Sequence, residues 1–237
     1  TLTEEGMFLR KRAQEIVELA DKTEADFAAG VGSISGDIFI GSGETGAVRY
    51  LGRTLYKMRS RYPGIRFHLF SGNGEDVSDR LDKGLIDFAL FVGMTDLKKY
   101  DYLKLPYHHR WGLILRKDDP LAAHEAVTPE MLMNVPILCS RQALIQNELS
   151  GWLGRPFEEL NPAGTYNLIY NAAIMVEEGL GCAVCIDKLL DTSGESAVCF
   201  RPFEPAIDAE LFIAWKKYQF FSAAAGKFLE MLQQELD

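Results

Sequence analysis

The run Gly41-Ser-Gly-Glu-Thr45 joins the end of a predicted strand, Asp37–Ser42, to a predicted helix running from Thr45 to Arg61. Free N–H groups at such a helix start, with Ser42, Gly43 and Thr45 beside them, suit a carboxylate or another small anion. The same hydroxyls suit plain N-capping of the helix. Glu44 opposes an anionic ligand unless a cation lies next to it. It suits a ligand amine, so an amino-acid-like ligand satisfies both charges; a solvated first-turn acid is the other reading of Glu44.

The remaining reactive residue types do not assemble into catalytic patterns. The four histidines are His68, His108, His109 and His124. His108 and His109 are adjacent and diverge on any extended segment, so they share no metal face. The chain carries no Gly-x-Ser-x-Gly, His-x-x-Glu-His or phosphate-loop pattern. Cys182-Ala-Val-Cys185 has the spacing of a redox or zinc pair. Its setting reads as a buried strand, however, and residues three apart on a strand face opposite sides. Free buried thiols at these positions and at Cys139 and Cys199 fit a reducing compartment. No cofactor is expected, and the chain reads as a non-enzyme.

Strands predicted at 37–42, 65–70 and 87–91 alternate with helices at 45–61 and 75–83, which requires crossovers and hence a parallel sheet. Such sheets bind ligands at the carboxyl ends of their strands, the position of residues 41–45. A second unit follows, with strands at 111–116, 136–139, 182–186, 197–201 and 210–215 and helices at 142–153 and 167–178. The amphipathic segment 221–236 has no sheet of its own to cover and is expected to return to the first unit. The two lobes are then joined by crossing strands near 107–112 and 214–217. The division reads as 1–30 helix and hinge, 31–110 first lobe, 111–215 second lobe and 216–237 returning helix. Ahead of the lobes, Thr3 caps a helix over 3–27 in which Leu2, Leu9, Ile16 and Thr23 alternate with Gly6, Ala13, Ala20 and Phe27. That seam predicts self-association, and Ala28–Ser35 reads as a linker.

A net charge of −9 disfavours any grip on nucleic acid by these residues themselves. No apolar run is long enough for a membrane span, and the polar, acidic start Thr1-Leu-Thr-Glu-Glu5 is unlike a signal peptide; with the free thiols the chain reads as cytoplasmic, and because it lacks an initiator Met it reads as a fragment or processed form.

Six segments, in order and spacing, resemble the LysR-type transcriptional regulators. They are Leu2-Thr-Glu-Glu-Gly6, Gly36-Asp-Ile-Phe-Ile-Gly41, Tyr62-Pro-Gly-Ile65, Leu81-Asp-Lys-Gly-Leu-Ile-Asp-Phe-Ala-Leu90, Asp119-Pro-Leu121 and Val176-Glu-Glu-Gly-Leu-Gly181. The resemblance covers nearly the whole chain. It implies a periplasmic-binding-protein-like (type 2) α/β fold, two Rossmann-like lobes joined by two crossover strands and preceded by a linker helix. It also implies a small-molecule effector between the lobes, a homodimer or homotetramer, and DNA contact only through a winged helix-turn-helix outside this sequence. Carried over residue by residue, the effector site comprises Ser42, Gly43, Glu44 and Thr45, then Asn73 in a Ser71–Gly74 turn and Phe91 at the end of the third strand. The second lobe adds Ser140, Arg141, Asn167 and Ile186. Arg141 is the candidate cation for a carboxylate-bearing effector, or a surface arginine; Asn167 is a helix cap that also faces the cleft in the family. The sequence departs from the family at Asp187, where a Leu-Pro is common after the strand. A solute-binding protein of a transporter shares this two-lobed fold and is the alternative, although it has no use for the heptad helix.

Overall fold

The computed structural model describes residues 2–28, 34–93, 97–141, 148–156 and 159–236. The first lobe is built on β1 (Gly36–Ser42), which lies parallel between β2 (Ile65–Ser71) and β3 (Phe88–Val92). The crossovers are α2 (Val48–Arg61) and α3 (Gly74–Asp82). α2 buries Leu51, Thr54, Leu55 and Met58, the three-and-four spacing of one helical face. β3, Phe-Ala-Leu-Phe-Val, is buried at every residue, as a strand covered on both faces requires.

Beyond β3 the sheet continues antiparallel through β9 (Asp208–Lys216) to β4 (Tyr100–Arg116). β4 is one 17-residue strand and belongs to both lobes. Its first part, Tyr100 to Arg110, pairs with β9. Its last part, Trp111 to Arg116, pairs with β7 (Cys182–Ile186) and β8 (Val198–Pro202) of the second lobe. The sequence suggests two separate extended pieces here because Pro106 interrupts the run. Pro106 falls where the register shifts between Lys104 and His108, a place where a missing N–H breaks no regular ladder.

The second lobe adds β5 (Pro136–Ser140), parallel to β7, and β6 (Asn161–Tyr166), parallel to β5. β6 escapes a sequence reading because Asn-Pro-Ala-Gly looks like a turn; it is a mostly exposed edge strand, where Pro162 is tolerated. The helices of this lobe are α4 (Glu148–Leu153) and α5 (Ile169–Glu177). Residues 142–147 of the helix expected over 142–153 lie outside the described residues. So do 29–33 of the expected linker.

β4 changes partners at Arg110–Trp111, passing from β9 to β7 and β8. The sequence places the return at 214–217, but β9 already pairs with β3 from Leu211 to Ala214. The chain therefore crosses back between Pro202 and Asp208, and residues 208–215 belong to the first lobe rather than the second. α6 (Ala223–Leu236) then covers the first lobe. Its Phe228 is fully buried, with its ring 5.1 Å from that of Phe88.

α1 (Glu4–Ala28) is capped by Thr3, whose Oγ1 accepts from the Gly6 N–H at 3.1 Å. It meets the first lobe through polar groups. Lys22 Nζ donates to Asp87 Oδ1 at 2.6 Å and to the Gly84 carbonyl at 3.1 Å. Lys83 pairs with Glu15 at 2.7 Å and Arg80 with Glu18 at 3.4 Å. Its apolar residues Met7, Phe8, Leu9, Ile16, Val17 and Leu19 are all exposed, as is Leu2 just before it. An apolar helix face left in water is the mark of an interaction surface.

Candidate ligand-binding site

The carboxyl ends of β1, β2 and β3 face the second lobe across a cavity of about 60 Å³. Gly43, Glu44, Gly72–Gly74 and Leu90–Val92 form its first wall; Trp111, Ser140, Tyr166–Ile169, Cys185, Ile186 and Leu189 form the second. Seven of the ten residues expected at the site meet here: Gly43, Glu44, Asn73, Phe91, Ser140, Asn167 and Ile186. They come from six strand ends and the loops that follow them in both lobes, which is what the crossing of β4 achieves.

Glu44 does not sit in solvent. Its Oε2 accepts a hydrogen bond from the backbone N–H of Ile169, in the other lobe, at 2.6 Å. Ile169 is the first residue of α5, whose N-cap is Leu168, a residue that supplies no side-chain acceptor. Asn167, expected to cap this helix, instead accepts from the N–H of Leu168 at 3.0 Å. A carboxylate at that end also meets the positive pole of the helix dipole. Asn73 is the N-cap of α3 and accepts from the Asp76 N–H at 2.9 Å while bordering the cavity. Tyr166, held by a hydrogen bond from its hydroxyl to the Val184 carbonyl, closes the second wall. The indole N–H of Trp111 is buried and has no partner among the described residues. Among the described residues, no Lys, Arg or His lines this cavity.

Ser42, Thr45 and Arg141 lie elsewhere. Ser42 is buried, and its hydroxyl donates to the Gly43 carbonyl at 2.6 Å. Thr45 is engaged in a relay at the hinge. Its Oγ1 accepts from the Ala47 N–H at 3.1 Å and lies 2.8 Å from His109 Nε2. His109 Nδ1 lies 2.6 Å from Asp187 Oδ1. A carboxylate only accepts, so Nδ1 carries the proton and the bare Nε2 accepts from the Thr45 hydroxyl. His109 is fully buried, and burial pushes its pKa below the ordinary histidine value against the opposing pull of Asp187. The three residues come from the first-lobe loop, the crossing strand and the second-lobe loop. They tie the pieces of the hinge together. Arg141 is exposed and borders a broad polar groove with Lys11, Asp76, Asp79, Thr165, Tyr166 and Asn167. It stands at the outer mouth of the cleft and not opposite Ser42 and Thr45.

The thiols form no redox or metal pair, although Cys185 lines the cavity. Cys182 faces one core of the second lobe and Cys185 the other, the divergence expected of residues three apart on a strand. Burial raises the pKa values of Cys139 and Cys182 to about 12 and that of Cys185 further. Among the described residues, no cluster of His, Cys, Asp or Glu is arranged to hold a metal ion.

Trp111, Tyr166, Ile169 and His109 are the site and hinge residues that sequence reasoning misses. The partners of His109 are 64 and 78 positions away in the chain, so no local spacing announces them. Asp187 is the exception, since its departure from the family pattern marks the position.

Residues 32–237 match the family model described as the LysR substrate binding domain. The chain belongs to that family. The uncharacterized HTH-type transcriptional regulator YvbU of Bacillus subtilis (strain 168) is 25% identical over 236 residues, which cover 98% of this chain and 79% of YvbU. The LysR-family regulator HinK of Pseudomonas aeruginosa superposes with a TM-score of 0.68 at 21% identity, over 100% of this chain and 81% of HinK. The regulatory domain of CcmR from Synechocystis PCC6803, solved in complex with 2-PG, has a TM-score of 0.68 at 18% identity, over 85% of this chain and 97% of that one. The LysR family is one of transcriptional regulators, and the two-lobed α/β architecture here is that of its effector-binding domains. No helix among the described residues is long and apolar enough to cross a membrane.

Proposed function

We propose that this LysR effector-binding chain senses a small, carboxylate-bearing metabolite in the cavity between its lobes. The observation that carries the proposal is the cavity itself, walled by strand ends of both lobes and by the N-terminus of α5. Gly43, Glu44, Asn73, Phe91, Ser140, Asn167 and Ile186 are the contact set, with Arg141 guiding an acid at the outer mouth. Ser42 and Thr45 serve the hinge instead. Domain closure is the two-state element, because a ligand that contacts both walls favours the closed arrangement over the open one. A coupling of about 1–3 kcal/mol is enough for regulation. The exposed apolar face of α1 supports a homodimer, with DNA held by an N-terminal winged helix-turn-helix of the full regulator. The protein works in the cytoplasm and catalyses nothing. The solute-binding alternative leaves that helix face unexplained.

A thermal-shift screen of small metabolic acids and amino acids tests the reading, since a ligand of the folded state alone raises its stability. A stabilising compound should lose its effect in Ser140→Trp, where an indole fills a cavity of about 60 Å³. Stabilisation that persists in this variant would place the ligand elsewhere.

A further inference from the structure

The cleft holds a carboxylate of its own. Glu44 reaches from the first-lobe loop to the second-lobe helix α5 and accepts from the Ile169 N–H at 2.6 Å. Helix α5 has 9 residues and needs an acceptor at this end, because Leu168 offers none. The bond crosses the cleft, so it exists only while the two walls are close. Opening the lobes breaks it and leaves the Ile169 N–H without its acceptor.

Trp111, a residue of the same cavity wall, supplies a second observation. The indole N–H of Trp111, in the cavity wall, is buried without a partner among the described residues. An unpaired buried donor is costly, and an acceptor that reaches it recovers that cost. The about 60 Å³ beside Glu44 has room for roughly four water-sized groups, so a larger ligand enters only if something moves. Glu44 is the side chain able to move. It is half-buried, stands on a loop after Gly43, and is bonded across the cleft through one oxygen. An added Cβ at Gly43 would meet nothing closer than the Gly72 carbonyl at 3.8 Å, so the loop has space around it.

We propose that Glu44 is a built-in competitor for the effector: its carboxylate occupies the α5 N-terminus, bonds the two lobes to each other there, and is displaced by the acid group of the ligand. The inference rests on the cleft being the sensing site and adds the class of group that binds there. That group is a carboxylate seated on the Ile169 N–H, with a further acceptor on the ligand facing Trp111. It explains how an acidic effector is bound by a cavity lined by no cation among the described residues. The ligand then exchanges one carboxylate for another on the Ile169 N–H.

The test uses acetate as the probe on three forms of the chain. Glu44→Ala vacates the helix end without crowding it. Glu44→Gln keeps an acceptor of the same shape there. In thermal melts against sodium chloride at matched ionic strength, acetate at several-fold its dissociation constant should raise the melting temperature of Glu44→Ala by about 2–4 °C. It should leave wild type and Glu44→Gln unmoved, because each already fills the position. Equal responses in all three forms, or none in Glu44→Ala, would overturn the proposal. The sensing reading is judged separately. A metabolite that binds wild type and Glu44→Ala with the same affinity, and fails with Ser140→Trp, would leave the cleft as the sensing site while removing displacement. Acetate rescue confined to Glu44→Ala supports the competitor whether or not a metabolite has been found.

Discussion

Lys22 decides whether α1 stays on the first lobe. Its Nζ lies 2.6 Å from Asp87 Oδ1, and the two side chains are only 9% and 7% exposed. The other Asp87 oxygen accepts from the Phe39 N–H at 2.8 Å, so the carboxylate is fixed from the lobe side. At this separation and an effective dielectric constant of about 20 the gross attraction is about 6 kcal/mol. Desolvation of both ions offsets most of that, but removing one partner alone still costs about 3–5 kcal/mol. In Lys22→Met the chain has two choices. It can keep α1 docked over an unpaired buried Asp87, or release the helix and rehydrate the carboxylate. Release sacrifices the Glu15–Lys83 and Glu18–Arg80 pairs, at about 0–1 kcal/mol each. Release is therefore favoured by about 1 kcal/mol or more, roughly fivefold or greater in population. Hydrogen exchange followed by mass spectrometry should show faster exchange in α1 and in residues 83–88, with the rest of the lobe unchanged. Adding Asp87→Asn removes the buried charge and should restore much of the protection. Unaltered exchange in Lys22→Met would refute the assignment of this pair as the docking contact.

Other outcomes follow from the same packing and electrostatics. Since burial holds the pKa of His109 below its unfolded value of about 6.5, the unfolded chain binds the extra proton first, and stability is full above that pH. It should fall as the pH drops from 6.5 toward the folded value; urea melts between about pH 7.5 and 5 should lose this slope in His109→Gln, and equal slopes would contradict the relay. Phe228→Ala empties the contact with Phe88 and should cost about 3–5 kcal/mol in urea melts, a loss under about 1 kcal/mol being incompatible with the packing described. Deleting residues 1–33 removes Leu9 and Ile16, each 68% exposed, and should weaken self-association on dilution in light scattering while the lobes stay folded. An unchanged mass would assign association to the lobes alone.

Much of the architecture is written in local patterns. The spacing of Leu51, Leu55 and Met58 gives a helix; the all-apolar run Phe88–Val92 gives a central strand. The return crossing is not legible, because whether residues 208–215 pair with β3 or with the second lobe depends on partners more than a hundred positions away. The site is legible to the extent that strand ends are. Gly43, Asn73, Phe91 and Ser140 lie at or just past strand ends and do meet, whereas Ser42 turns its hydroxyl to the Gly43 carbonyl and Thr45 and Arg141 land at the hinge and the outer groove. Glu44 shows the limit well. Its charge marks it from the sequence as a group needing a partner, but that partner is a backbone N–H 125 residues away, a type of donor that no side-chain pattern reveals.

The central claim is that the cavity between the lobes receives a small acid. Isothermal titration of the strongest stabilising metabolite from a thermal-shift screen into wild type and Ser140→Trp tests it most directly. The account predicts one site per chain in wild type and no measurable heat in the variant, with both proteins equally folded by circular dichroism. Equal affinity for the two proteins would contradict it, because no ligand seated between Glu44, Trp111 and the start of α5 tolerates an indole at residue 140.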